Sequence, residues 1–162
     1  MQIRDATEDD WPHIYPFYAQ IMDEGRTYAS PPGQSLQEAR LAWMEPPPSH
    51  VVVAVADGAI VGSAKMGPNR PGRGGHVGTA SFIVDPRAQS RGVGRALGEH
   101  VISWHREHGF RAIQFNAVVE VNEPAVRLWK SLGWEVIGTV PEAFDHPDHG
   151  LVGLHVMYRR LP

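Results

Sequence analysis

The residues best placed to do chemistry lie between Thr79 and Gly109, in the stretch TASFIVDPRAQSRGVGRALGEHVISWHREHG. Gln89, Ser90, Arg91, Gly92, Val93 and Gly94 form a Q-x-x-G-x-G run, flanked by Arg87 and Arg95. Glycine lets a backbone turn sharply and approach a ligand closely. Val93, Leu97, Val101 and Trp104 then recur at helical spacing. The start of such a helix carries unpaired N–H groups and the positive end of a dipole, which makes it an anion site. The chemistry predicted is a grip on a phosphate or diphosphate. Two familiar phosphate loops are excluded. The dinucleotide fingerprint needs G-x-G-x-x-G and an acid at the end of the next strand, and the P-loop needs G-K-[ST]. Here a Gln stands at the first glycine position, no acid ends the strand after Gly109, and G-K-[ST] is absent. With no ligand, the same stretch reads as a helix start behind a solvated basic turn.

Other reactive groups are scattered. Glu24, His76, Glu120 and His155 are polar side chains able to move a proton. Asn116 is a polar residue in a strand-like run, and an amide buried there needs partners. Asn122 reads as a helix cap. Asp145, His146, Asp148 and His149 are metal-ligating types at irregular spacing with no further ligand evident, and a rim loop explains them better than a metal site.

These groups must be positioned by regular elements. Ile3 to Asp5 reads as a short first strand. Thr7 caps a helix whose buried face is Trp11, Ile14, Tyr15, Tyr18, Ile21 and Met22, with a kink or a late start expected at Pro16. Asp23 to Gly33 is a loop, and Ser35 caps a second helix ended by Pro46-Pro47-Pro48. Val51–Val55 and Ile60–Met66 form a hairpin about Asp57-Gly58, since both turn residues tolerate positive φ. Thr79–Val84 is the fourth strand, and Asp85-Pro86 stops it. Ala112–Val119 is the fifth. Strand, helix and strand in that order predict a right-handed crossover and a parallel pair. Ala125, Leu128, Trp129 and Leu132 make the apolar stripe of a further helix, with Gly133 after its end. Trp134–Val140 and Leu151–Tyr158 are the last strands. PEAFDHPDHG between them is expected to be irregular.

A chain of 162 residues suits one domain with one good core. A formal net charge of −3 argues against nucleic acid as a partner. With no cysteine there is no disulfide or thiolate chemistry. No apolar run approaches the length of a membrane span, and the acidic start MQIRDATEDDW lacks a signal region. A cytoplasmic protein is expected.

Two blocks carry a family resemblance. Gln89, Gly92 and Gly94 match [Q/R]-x-x-G-x-[G/A], and NEPAVRLWKSLGWEVIG places Asn122, Ala125, Leu128, Gly133 and Trp134 in register with N-x-x-A-x-x-L-[YW]-x-x-x-G-[FW]. In that order, separated by a strand, they resemble the coenzyme A-binding blocks of the GNAT superfamily of acyl-CoA-dependent N-acetyltransferases. The resemblance covers about Val51 to Arg160. It implies an α/β (α+β) fold over residues 1–162. That fold is a mixed, mostly antiparallel seven-stranded sheet splayed between strands four and five, with about four helices. It implies acetyl-CoA as acyl donor, no metal, and a small amine as acceptor, with a homodimer as a family-level expectation. The cofactor-binding residues implied are Phe82, Ile83, Val84, Gln89, Ser90, Arg91, Gly92, Val93, Gly94, Arg95, Asn122 and Trp129. The strand-four residues act through their backbone, where an N–H can also serve as oxyanion donor, worth about 3 kcal/mol in other acyl transfers. The first two helices and their loop would wall the acceptor site, which makes Glu24, Arg26, Thr27 and Tyr28 acceptor contacts. Asn116, Glu24 and Tyr28 are the catalytic candidates. The pair Asn116 and Asn122 resembles enzymes of the azetidine carboxylate or phosphinothricin type. One departure stands out. Many relatives carry a Tyr after the Leu of the second block to protonate the leaving sulfur, whereas this chain has Trp129, whose indole is no acid at neutral pH. A non-catalytic acyl-CoA sensor, or acetylation of a protein amine, are the alternatives. A nucleotide-binding domain is disfavoured by the missing acid.

Overall fold

Alternating short strands and amphipathic helices build a layered structure, described over residues 1–162 in a computed structural model. In chain order the elements are β1 (Gln2–Asp5), α1 (Trp11–Glu24), α2 (Leu36–Trp43), β2 (His50–Ala56), β3 (Ala59–Pro68) and β4 (Val77–Val84). They continue with α3 (Val93–Glu107), β5 (Ala112–Val119), α4 (Glu123–Ser131), β6 (Glu135–His146) and β7 (Gly150–Arg160). The seven strands form one sheet in the order β1-β2-β3-β4-β5-β7-β6. Every neighbouring pair is antiparallel except β4 and β5. The seven-stranded mixed sheet with four α-helices agrees with the fold expected from the sequence.

Local sequence explains the elements. Asp57 and Gly58 take φ of 51° and 77°, the left-handed pair that a two-residue hairpin turn requires. The Ser35 side chain accepts from the Glu38 N–H at 3.1 Å, and the Ser35 N–H donates to the Glu38 carboxylate at 3.2 Å. A 3-10 turn at Glu8–Asp10 precedes α1, so the α-helix starts late, with Pro12 in its first turn. Pro16 falls one turn further on, inside a continuous helix, so the late start expected at that proline does not occur. The hydrogen bond it forfeits is offset by burial of Trp11, Ile14, Phe17, Tyr18 and Met22 along one face.

The helices cover both faces of the sheet. Trp11, Ile14, Trp43, Val53 and Ile83 belong to the core under α1 and α2. Val52, Leu97, Val101, Ile113, Phe115 and Met157 belong to the core under α3 and α4. One expectation fails. The segment from Pro141 to Gly150 is not irregular: β6 runs on to His146 and pairs with β7 as far as His146↔Gly150. The strand accommodates Pro141 by a bulge, where the register slips between Val140 and Phe144 and Glu142 takes φ 52°.

Candidate functional site

The Q-x-x-G-x-G turn is built to present backbone amides. Ser90 and Gly92 take φ of 65° and 79°, and no heavy atom would touch a Cβ placed on Gly92. No side chain caps the start of α3. Its first N–H groups are therefore left for solvent or a ligand. The Val93 side chain is buried beneath and pins the helix start to the core. A Cβ on Gly94 would lie 3.3 Å from Leu128, which is how closely α3 and α4 pack. Arg87 does not add free charge to this turn. Its guanidinium donates to Asp85 at 2.8 Å, and that contact lowers the Asp85 pKa and raises its own. Arg95 is held by the Ser131 hydroxyl at 2.7 Å.

Below the turn the sheet opens. β4 and β5 pair only at Val77↔Ala112 and Gly78↔Ile113, then part. The Asp85 N–H donates to the Val61 C=O at 2.9 Å, and Ser63 stands opposite Ile83. By strand alternation, Ile83 and Asp85 spend their backbone groups on β3, while Ala80, Phe82 and Val84 turn theirs toward the gap. The gap is a cavity of about 810 Å³. Its aromatic floor is Phe82, Phe115 and Trp129, with ring centroids 4.6 to 5.7 Å apart. β5 bulges between Phe115 and Val118, so Asn116 and Ala117 stand out into the opening.

The cavity gathers most of the sequence-derived donor residues. Phe82, Val84, Gln89, Ser90, Gly92, Val93, Gly94, Arg95, Asn122 and Trp129 all line it. Trp129 does so while largely buried, so it is both core and wall. Ile83 and Arg91 do not line it. The Ile83 side chain packs under α1, and Arg91 is exposed outside the turn. Asn122 holds the N-cap position of α4 but makes no side-chain cap bond, so the capping role expected of it is not what its amide does. Its backbone C=O accepts from Val126 at 3.1 Å, and the side chain is left to the cavity.

On the acceptor side the picture is mixed. Tyr28 and Asn116 line the cavity; Glu24 does not, and its carboxylate accepts from Gln20 on the exposed end of α1. Asn116 is exposed rather than buried as a polar residue in a central strand would be. Its Nδ2 donates to Asn69 Oδ1 at 2.6 Å and its Oδ1 accepts from Gln114 at 3.0 Å. The other candidate bases lie elsewhere. Glu120 accepts from the Gly153 N–H at 2.6 Å, His155 Nδ1 meets Thr139 Oγ1 at 2.7 Å, and His76 is exposed. Arg95 is the one charged side chain among the lining residues. What the cavity offers an acceptor is neutral: hydroxyls of Thr27, Tyr28, Thr79 and Ser81, and the Asn116 amide. Tyr28 is the most perturbed of these. Burial pushes its hydroxyl pKa up to about 12, against a lowering by the Phe82 backbone.

Phe144 also lines the cavity, together with Leu154, and packs with Val119 and Val152. It lies in the segment read as irregular, where no periodicity marks it. Asp145, His146, Asp148 and His149 are not gathered into a group that could hold a metal ion. They form the tip of the β6–β7 hairpin, and Asp148 pairs with Arg26 of the α1–α2 loop at 3.0 Å.

The fold has counterparts among known proteins. The model of the Acetyltransferase (GNAT) family matches residues 3–134. The L-amino acid N-acetyltransferase AaaT of Escherichia coli is 31% identical over 142 residues, which cover 85% of this chain and 84% of that protein. The chain spans only part of two further curated relatives, 50% of one and 14% of the other. A GCN5-related N-acetyltransferase from Kribbella flavida superposes with a TM-score of 0.95 at 59% identity, covering 99% of this chain and 97% of that one. The yncA structure from Salmonella typhimurium, solved with its cofactor acetyl-CoA, superposes with a TM-score of 0.87 at 26% identity over all of this chain and 94% of its own. A fold splayed at β4 and β5 and a family match over residues 3–134 place this chain in the acetyltransferase (GNAT) family.

Proposed function

We propose that the protein moves the acetyl group of acetyl-CoA onto the amine of a small molecule, an amino acid or an amino-acid analogue, by direct attack in a ternary complex. The observation that carries this reading is the asymmetry of the cavity. One end is a helix start with Arg95, suited to a diphosphate. The other is small, neutral and walled by the α1–α2 loop and the β6–β7 hairpin, suited to a compact acceptor. The similarity to an L-amino acid N-acetyltransferase over most of both chains supports it.

When bound, acetyl-CoA supplies a thioester carbonyl. In this reading the backbone of Gly92 to Arg95 and the Asn122 amide hold the donor, and the Phe82 N–H is the hydrogen-bond donor to the acyl oxygen. Thr79, Ser81 and Asn116 orient the acceptor. No carboxylate or imidazole lines the cavity, so the amine must arrive neutral. An α-amino group with a pKa of about 8 has a usable neutral fraction near pH 7. The proton released after attack passes along the hydroxyls to solvent. The thiolate leaves without an acid at Trp129, since a thiol pKa of about 8.5 makes it a fair leaving group. A rate set by the neutral amine rises with pH, is half-maximal near pH 8 and levels off about one unit higher; a bell-shaped profile centred below pH 7 would point to a titrating base instead.

The same reading takes residues 1–162 as one domain acting in the cytoplasm. It also takes the chain as a homodimer, with the exposed Ile137, Val140 and Leu151 of the β6–β7 hairpin as apolar surface for a second copy. Thiol release from acetyl-CoA over a panel of amines tests the reaction. Turnover with amino acids is expected. Tight binding of acetyl-CoA without turnover of any amine would favour the sensor.

A further inference from the structure

The Tyr28 hydroxyl is committed to the backbone of the β4 edge. It accepts from the Phe82 N–H at 2.8 Å and donates to the Phe82 C=O at 2.6 Å. Those two groups are the part of the β4 edge that the β3 pairing leaves free and the splay from β5 leaves open. One side chain therefore completes a ladder position that no strand occupies, and pairs both Phe82 backbone groups. A tyrosine hydroxyl is neutral near pH 7, so it can both give and take a hydrogen bond.

The segment that carries Tyr28 is a loop bounded by two left-handed glycines. It lies between Gly25 and Gly33, both left-handed at φ 64° and 73°, with no heavy atom within 4 Å of a Cβ on either. Past the second glycine the chain is fixed to α1. Tyr15 Oη donates to the Gln34 C=O at 2.7 Å, and Tyr18 Oη to Gln34 Oε1 at 2.9 Å. Between the glycines, the clasps are Tyr28 on Phe82 and the half-exposed Arg26–Asp148 pair to the hairpin tip. An exposed ion pair is a weak clasp. Tyr28 is the stronger one.

We propose that the Tyr28 hydroxyl is an internal competitor for the acyl-donor site: it holds the Phe82 N–H and C=O closed in the free protein, and acetyl-CoA must displace it to load. The inference rests on the donor-site reading of the gap and is independent of which amine is acetylated. A site closed most of the time binds with an apparent affinity reduced by the fraction that is open. Removing the hydroxyl while keeping the ring leaves the Phe82 groups to water and opens the slot.

Isothermal titration of acetyl-CoA into the wild type and Tyr28→Phe, with no acceptor present, tests it. The expected result is that Tyr28→Phe binds about threefold to tenfold more tightly, the range that one or two neutral hydrogen bonds support. Equal or weaker binding overturns the competitor role. A residue that only packs, or that itself contacts the donor, cannot give tighter binding on losing its hydroxyl. A second readout needs no variant. By amide hydrogen exchange, the Phe82 N–H of the ligand-free wild type is expected to be protected like its β3-paired neighbours. Exchange as fast as in an open loop overturns the proposal. If the wild type binds no acetyl-CoA at all, the donor-site reading itself falls.

Discussion

Asn122 shows how a residue type can be right and its job different. Asparagine at a helix start normally accepts from the helix amides, and losing such a cap costs about 1 kcal/mol. Here the side chain makes no cap bond and faces the cavity instead. Asn122→Ala is therefore expected to shift unfolding free energy by less than about 0.5 kcal/mol, as for substitutions that touch no stabilising feature. Its acetyl-CoA Kd should rise about threefold to tenfold, the worth of one hydrogen bond. A full cap-sized loss in chemical denaturation with unchanged binding would return it to the ordinary role. Ser35, by contrast, does cap, and Ser35→Ala should lower stability by about 1 kcal/mol with donor binding unchanged.

At the scale of elements, the start of α3 depends on the left-handed Gly92. Gly92→Ala has room for its methyl group but not the favoured backbone, which costs about 1 to 2 kcal/mol for a non-glycine residue. Relief of that strain would swing the first amides of the helix off the anion. Acetyl-CoA affinity is expected to fall about tenfold or more, since 1.4 kcal/mol is tenfold. Titration of acetyl-CoA into the variant checks this, and unchanged affinity would mean the diphosphate is held elsewhere. The same scale explains β6. Its proline and polar residues argue against a strand, yet pairing with β7 holds it extended, and the bulge removes Pro141 from the ladder.

For the molecule as a whole, acid sensitivity follows from His105. It is fully buried on α3, its Nδ1–H donates to the Val101 C=O at 2.7 Å, and its Nε2 has no partner. Burial holds its pKa below the ordinary value of 6.5. In the unfolded chain it binds a proton as pH falls through 6.5, while the folded protein resists. Its contribution is thus whole above pH 6.5 and is lost progressively below that value, down to the folded pKa. Urea denaturation at pH 7.5 and 5.5 should show the drop, and it should shrink in His105→Asn. A drop unaltered in that variant would assign it to other groups. Much of the architecture was legible from residue order because it is written in local terms: turn glycines, helix periods, strand runs and the Q-x-x-G-x-G start of α3. These depend on backbone conformation and near neighbours, and so do the residues of that turn that line the cavity. What needed the assembled chain was everything set by partners distant in sequence. The Ile83 backbone pairs with β3 and the Phe82 backbone faces the gap, because the register decides which way each amide points. Asn116 is solvated, and Phe144 becomes a cavity wall, because β5 and β6 bulge. Tyr28 meets Phe82, 54 residues away, only because the sheet splays where β4 and β5 stop pairing. Sequence spacing specifies what a segment can form; which of its groups remain unpaired is decided only when the other strands are in place.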